Sequence, residues 1–146
     1  MHTSMRVLGF DTETTGLLPT KFPRIASCLT KFPHIVQLSY LIYDTDTHKV
    51  VHEQDDIIML PLDVEMPEQS TAVHGISKGL STNRGIHIES ALEIFALYVK
   101  QCQCIVAHNI DFDMTMIEVE CMRTKTTYPF TNEKIYYCCL LYTSDA

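Results

Sequence analysis

The apolar positions of this chain change period several times, and each change marks an element. Met5-Arg6-Val7-Leu8-Gly9-Phe10 is a short apolar run, read as a buried strand. Ile35 to Tyr43 is rich in β-branched and aromatic residues, Asp44-Thr45-Asp46-Thr47-His48 supplies turn residues, and Val50-Val51 through Leu60 returns. That pattern predicts an antiparallel meander, ended by Pro61. From Glu89 to Gln101 the period becomes helical: Leu92, Phe95, Ala96 and Val99 form one stripe, widened by Ile94 and Tyr98. Cys104-Ile105-Val106-Ala107 then reads as a strand parallel to the first, and a second helix runs through Met116, Ile117, Glu120 and Cys121. Lys134 to Cys138 reads as a further strand. Strands in antiparallel order followed by strand–helix–strand predict an α/β layer with a mixed sheet.

Between the first two strands, Leu18 to Pro33 carries three prolines and reads as an irregular surface loop. Its Lys, Arg and Phe residues suit contact with a nucleic-acid strand and equally suit a solvated insertion.

At 146 residues the chain is long enough for one domain and too short for two. Its 46% apolar and 20% charged content is that of a globular protein. No apolar run approaches the ~20 residues that cross a bilayer, and the N-terminus lacks a signal-peptide pattern, so a cytoplasmic location without membrane attachment is expected. The six cysteines form no C-x-x-C pair and read as free thiols. A net charge of −7 argues against broad duplex binding, which needs a basic surface, but not against gripping one strand end.

Asp11-Thr12-Glu13-Thr14-Thr15-Gly16 changes the picture. Residues i and i+2 of a strand share a face, so Asp11 and Glu13 present two carboxylates together with Thr12 turned away. Like charges on a core strand repel, and a hard divalent cation offsets that repulsion. Gly16 allows a sharp turn and a close approach to the backbone. Farther on, Ala72-Val73-His74-Gly75-Ile76 is a weak signal, consistent with a turn or cap. Ala107-His108-Asn109-Ile110-Asp111-Phe112-Asp113 opens the second long helix.

The run D-T-E-T-T-G-L resembles the first motif of the DEDD-type 3′–5′ exonucleases, typified by the epsilon proofreading subunit of bacterial DNA polymerase III. H-N-I-D-F-D resembles their second motif. The resemblance implies a ribonuclease H-like fold with strand order 3-2-1-4-5. It implies a metal-dependent exonuclease acting on a DNA 3′ end, with exoribonuclease or a noncatalytic nucleic-acid-binding module as the alternatives. It makes Asp11, Glu13 and Asp113 the catalytic carboxylates, ligands to two Mg²⁺ or Mn²⁺ ions. Thr12, Thr15, Gly16, His74 and Phe112 become substrate contacts. Asp111 is then an N-cap, the alternative being that it replaces Asp113 as ligand, and His108 is structural. The implied partners are a single-stranded 3′ end, DNA favoured, and a polymerase.

The family's third motif, H-x-x-x-x-D, supplies a general base and a fourth carboxylate. The last histidine here is His108, so no such motif follows Asp113. Cys139 to Ala146 equals the translation of a transposase-type sequencing adapter, TGT CTC TTA TAC ACA TCT GAC GCT. The expectation is therefore a partial exonuclease domain over residues 1–138, an adapter-derived tail over 139–146, and an inactive fragment of an active parent.

Overall fold

The computed structural model describes residues 5–140. Most of the expected tail, residues 141–146, lies outside the described residues.

Five strands form one sheet: β1 (Arg6–Thr14), β2 (Ile35–Asp44), β3 (Lys49–Ile57), β4 (Cys104–Ala107) and β5 (Ile135–Cys138). Their order is β3-β2-β1-β4-β5, as the resemblance implied. β1 pairs antiparallel with β2 from Arg6↔Asp44 onward and parallel with β4 only over Val7 to Gly9. β1 is longer than its apolar run suggested. Asp11 and Glu13 lie inside it, because β2 continues to supply a partner beyond Phe10.

Four α-helices accompany the sheet: α1 (Glu68–His74), α2 (Lys78–Arg84), α3 (Ile88–Lys100) and α4 (Ile110–Thr124). The first two carry no apolar stripe long enough to announce them. They are bounded by local chemistry instead. Pro67 precedes α1 and Gly75, at φ 76°, ends it. Ser77 caps α2 by accepting from the Leu80 N–H. The Pro-rich loop is also less irregular than expected, since Ala26–Lys31 forms a 3-10 helix.

Leu8, Phe10, Leu38, Tyr40 and Ile42 turn toward α3 and α4 and meet Phe95, Val99, Met116 and Ile117 in the main core. Phe95 sits 5.4 Å from Phe10 and 5.0 Å from Tyr40, ring to ring. In α3 the buried residues are Ala91, Leu92, Phe95 and Val99. Ile94 is exposed rather than widening the stripe, because it lies beyond the arc that faces the sheet. The opposite sheet face carries exposed Leu41, Ile135 and Tyr137. All six cysteines are free.

One buried ion pair fastens α4 to the start of β2. Glu120, 2% exposed, accepts from the Ile35 N–H at 3.0 Å and pairs with Arg123 at 2.9 Å. Arg123 also donates to the carbonyls of Leu29, Phe32 and Pro33.

A candidate active site at the end of the central strand

Past Gly9, β1 has lost β4 as a neighbour, so the Thr12 amide on that edge needs another acceptor. Asp113 supplies it. Its Oδ1 accepts from the Thr12 N–H at 3.0 Å and from the Thr12 hydroxyl at 2.8 Å. Thr12 is buried and turned away from Asp11, as the strand period predicted, and its inward position is what reaches Asp113.

The two acidic candidates in α4 separate clearly. Asp113 is 3% exposed and tied to β1, whereas Asp111 is exposed. The expected N-cap role of Asp111 is not what the helix shows. Asn109 is the N-cap residue, and Asp111 lies one residue into the helix, its carbonyl accepting from the Thr115 hydroxyl. The helix begins two residues earlier than an N-cap at Asp111 would place it, and Ile110 in its first turn packs into the core. The His108 side chain is exposed, and its carbonyl accepts from the Leu140 N–H.

Electrostatics couples the three carboxylates. Burial raises Asp113 to about 6 from its ordinary 3.8. The Thr12 hydrogen bonds work against that shift, and the charges of Asp11 and Glu13 add to it. Glu13 is raised by burial and then by Asp11, with His74 opposing. Asp11 is raised by burial, with His108 and the Thr12 amide opposing. Among the described residues none of the three forms a salt bridge with Lys or Arg.

The turn after β1 is tied from several sides. The Thr14 hydroxyl bonds the Gly16 carbonyl at 2.6 Å. Thr15 and His34 exchange two bonds, Thr15 N–H to the His34 carbonyl at 2.9 Å and His34 N–H to the Thr15 hydroxyl at 3.0 Å. The Ser70 hydroxyl, from α1, donates to the Thr15 carbonyl at 2.7 Å. Gly16 itself has an ordinary φ and open space where a Cβ would stand. Neither the turn nor packing requires glycine there. What its missing side chain leaves is room.

That room belongs to a pocket of about 590 Å³. Thr12, Glu13, Thr15, Gly16, His74 and Phe112 all line it, so every expected substrate contact shares one wall with one of the three carboxylates. Asp11 opens instead on a shallower neighbouring hollow with Ser39, Tyr40 and Asp55. Asp113 reaches the pocket wall through Thr12. Sequence reasoning missed Pro67 and the α1 residues Gln69, Ser70 and Val73, which form the far side. The Pro67 and Gly75 boundaries were the signal that would have found them. His74 ends α1, and its Nδ1 accepts from the Ile76 N–H at 3.1 Å, which assigns the proton to Nε2. That Nε2 is buried without a partner.

Among the described residues, no three His, Cys, Asp or Glu side chains converge tightly enough to hold a metal ion as they stand. The donor chemistry nevertheless suits one. Asp11 raises the pKa of Glu13, both raise that of Asp113, and the three form no salt bridge with Lys or Arg among the described residues. The mutual repulsion of such hard carboxylates is what a divalent ion relieves.

The family model described as Exonuclease (RNase T) matches residues 8–145. The search of curated proteins returns no match. Among solved structures, exonuclease I in complex with the inhibitor BCBP is similar at TM-score 0.76 and 13% identity, over 97% of this chain and 30% of that one. E. coli exonuclease I with a dT13 oligonucleotide gives 0.72 and 14%, over 95% and 29%. The nuclease domain of 3′hExo, a DEDDh family member bound to rAMP, gives 0.63 and 11%, over 85% and 62%. The chain thus spans under two thirds of each of these structures, and at such identities the likeness is one of fold. Together with the family match over nearly the whole chain, it identifies the protein: it belongs to the exonuclease family and has the ribonuclease H-like fold of the DEDD-type 3′–5′ exonucleases.

Proposed function

We propose that this domain belongs to an enzyme that removes nucleotides from a DNA 3′ end, in proofreading or repair, with a polymerase as the partner in the first case. One observation carries the reading. Glu13, one of three electrostatically coupled carboxylates on β1 and α4, lines a pocket whose volume lies in the range of small-ligand sites. Asp11, Glu13 and Asp113 are proposed to hold two Mg²⁺ or Mn²⁺ ions. The chemistry such a pair supplies is activation of water and charge stabilisation at the departing 3′ oxygen.

The chain's own residues orient the strand end. Thr12 fixes the Asp113 carboxylate through one oxygen and leaves the other free. His74 offers its unpartnered Nε2–H to the terminal nucleotide. Phe112 provides an apolar surface for the base, and Thr15 and Gly16 provide backbone close to the sugar. The family's general base and fourth carboxylate have no counterpart after His108. Hydrolysis by these residues alone is therefore proposed to be absent or slow, and the first test is binding.

Titration with Mn²⁺ should show binding that Asp11→Ala abolishes. Unchanged affinity in that variant would overturn the metal assignment and favour a noncatalytic nucleic-acid-binding module. RNA is the second substrate reading, favoured by the rAMP bound to the 3′hExo domain. Competition between deoxy- and ribonucleoside 5′-monophosphates for the pocket separates the two.

A further inference from the structure

All 18 Asp and Glu residues lie outside residues 14–43, a stretch that carries Lys21, Arg24 and Lys31. In a chain of net charge −7 this makes one continuous acid-free segment, and it starts at the pocket wall. Leu17, which borders the pocket, is 89% exposed. Phe22 and Ile25 follow, exposed on the same loop, and the Lys31 Nζ stands 5.6 Å over the Phe22 ring. Exposed apolar and aromatic groups set among cations are costly for a surface with no partner. They are what a single strand uses, phosphates on the cations and bases on the rings.

The loop is also held in shape. Arg24 donates to the Thr115 hydroxyl at 3.0 Å and pairs with Glu118 at 3.2 Å. Arg123 grips the carbonyls of Leu29, Phe32 and Pro33. All four anchoring side chains, Thr115, Glu118, Arg123 and its partner Glu120, sit on α4, the helix that carries Asp113. One rigid element therefore sets the distance from the carboxylates to the loop. With Arg24 and Arg123 engaged as anchors, Lys21 and Lys31 remain as the loop's cations without an ion pair among the described residues.

We infer that the loop of residues 17–31 is a track for the single strand leading away from the 3′ end, with Lys21 and Lys31 neutralising its phosphates and Phe22 stacking on its bases. This rests on the strand-end pocket proposed above. The test is fluorescence anisotropy with the whole chain in Mn²⁺, using phosphorothioate-linked DNA of about three and about twelve nucleotides, within and beyond a pocket-sized site. The longer strand should bind more tightly. Lys21→Gln/Lys31→Gln should erase that gain and leave the short strand's affinity unchanged, which also shows the variant is folded. Two lost phosphate contacts lower the slope of log K against log salt by about 1.4. Between 50 and 200 mM salt the wild type should thus lose about sevenfold more affinity for the long strand than the variant does. Equal affinity for both lengths in the wild type, or equal salt slopes in wild type and variant, overturns the track. A long strand that binds through the lysines while the short one does not leaves the track standing and removes the pocket. If neither length binds, both fall.

Discussion

Replacing Asp113 by Asn should stabilise the metal-free protein. The substitution removes a charge and keeps the Oδ1 that accepts both Thr12 hydrogen bonds. Asp113 is 3% exposed and its carboxyl is raised to about 6 from 3.8, by burial first and then by Asp11 and Glu13. The folded state therefore holds the proton more tightly than the unfolded chain, and ionisation costs stability. The cost starts to appear as pH rises past the unfolded value near 4 and is complete once pH exceeds the folded value near 6. At 1.36 kcal/mol per tenfold change its ceiling is about 3 kcal/mol. Screening at a site beside an open pocket brings the expected gain in Asp113→Asn to about 1–2 kcal/mol. Urea denaturation in EDTA at about pH 5 and about pH 7.5 reads it directly. The variant should be the more stable protein at both, and its advantage should grow about twofold from the lower pH to the higher. Saturating Mn²⁺ should then reverse the order, since a ligand bound only by the folded wild type adds stability by mass action. A variant no more stable than wild type at pH 7.5 in EDTA would refute the claim that the buried carboxylate is strained by its surroundings.

Arg123→Ala should cost about 3–5 kcal/mol in denaturant titrations, because it strands the buried Glu120 charge, and Glu120→Gln in the same background should recover part of the loss. Gly85→Ala should destabilise strongly by melting temperature, since a Cβ there would collide with the Ser81 carbonyl and the Ile58–Met59 backbone, where little can move. Ser81→Ala should cost about 1–3 kcal/mol, because its fully buried hydroxyl both donates to the Ile58 carbonyl and accepts from the Leu60 N–H. Thr12→Val should raise the Asp113 pKa further, measurable by carboxyl NMR titration, since it deletes the hydroxyl that favours the ionised form.

Strand alternation made Asp11, Thr12 and Glu13 legible in the sequence, down to which faced which way, because the period of two leaves no freedom once the strand is buried. The α3 stripe was legible for the same kind of reason. The pocket's far wall was not. α1 has no buried residue and no hydrophobic stripe, so its helical state rests on its boundaries and on a hydroxyl bond from Ser70 to the turn after β1. The bond between Thr12 and Asp113 was invisible too, since it depends on β4 stopping short of β1's end, a fact about tertiary register. Asp111 was misassigned because Asn109, Asp111 and Asp113 offer similar capping chemistry, and only the burial of Ile110 fixes where the helix starts.

The unequal pairing of β1 has a consequence for folding. Its antiparallel partner β2, and β3 paired to β2 beyond it, arrive within the first 57 residues, and β2 and β3 join through a short turn, so that half of the sheet closes cheaply. The parallel half must wait for β4, and the Thr12–Asp113 bond spans 101 positions of sequence. High-separation contacts of this sort form slowly. As the chain emerges during synthesis, Asp11 and Glu13 are displayed on a meander long before Asp113 exists to join them. The constellation is thus completed only when the last long-range register has locked, and a nascent or half-folded chain holds just two of its three carboxylates.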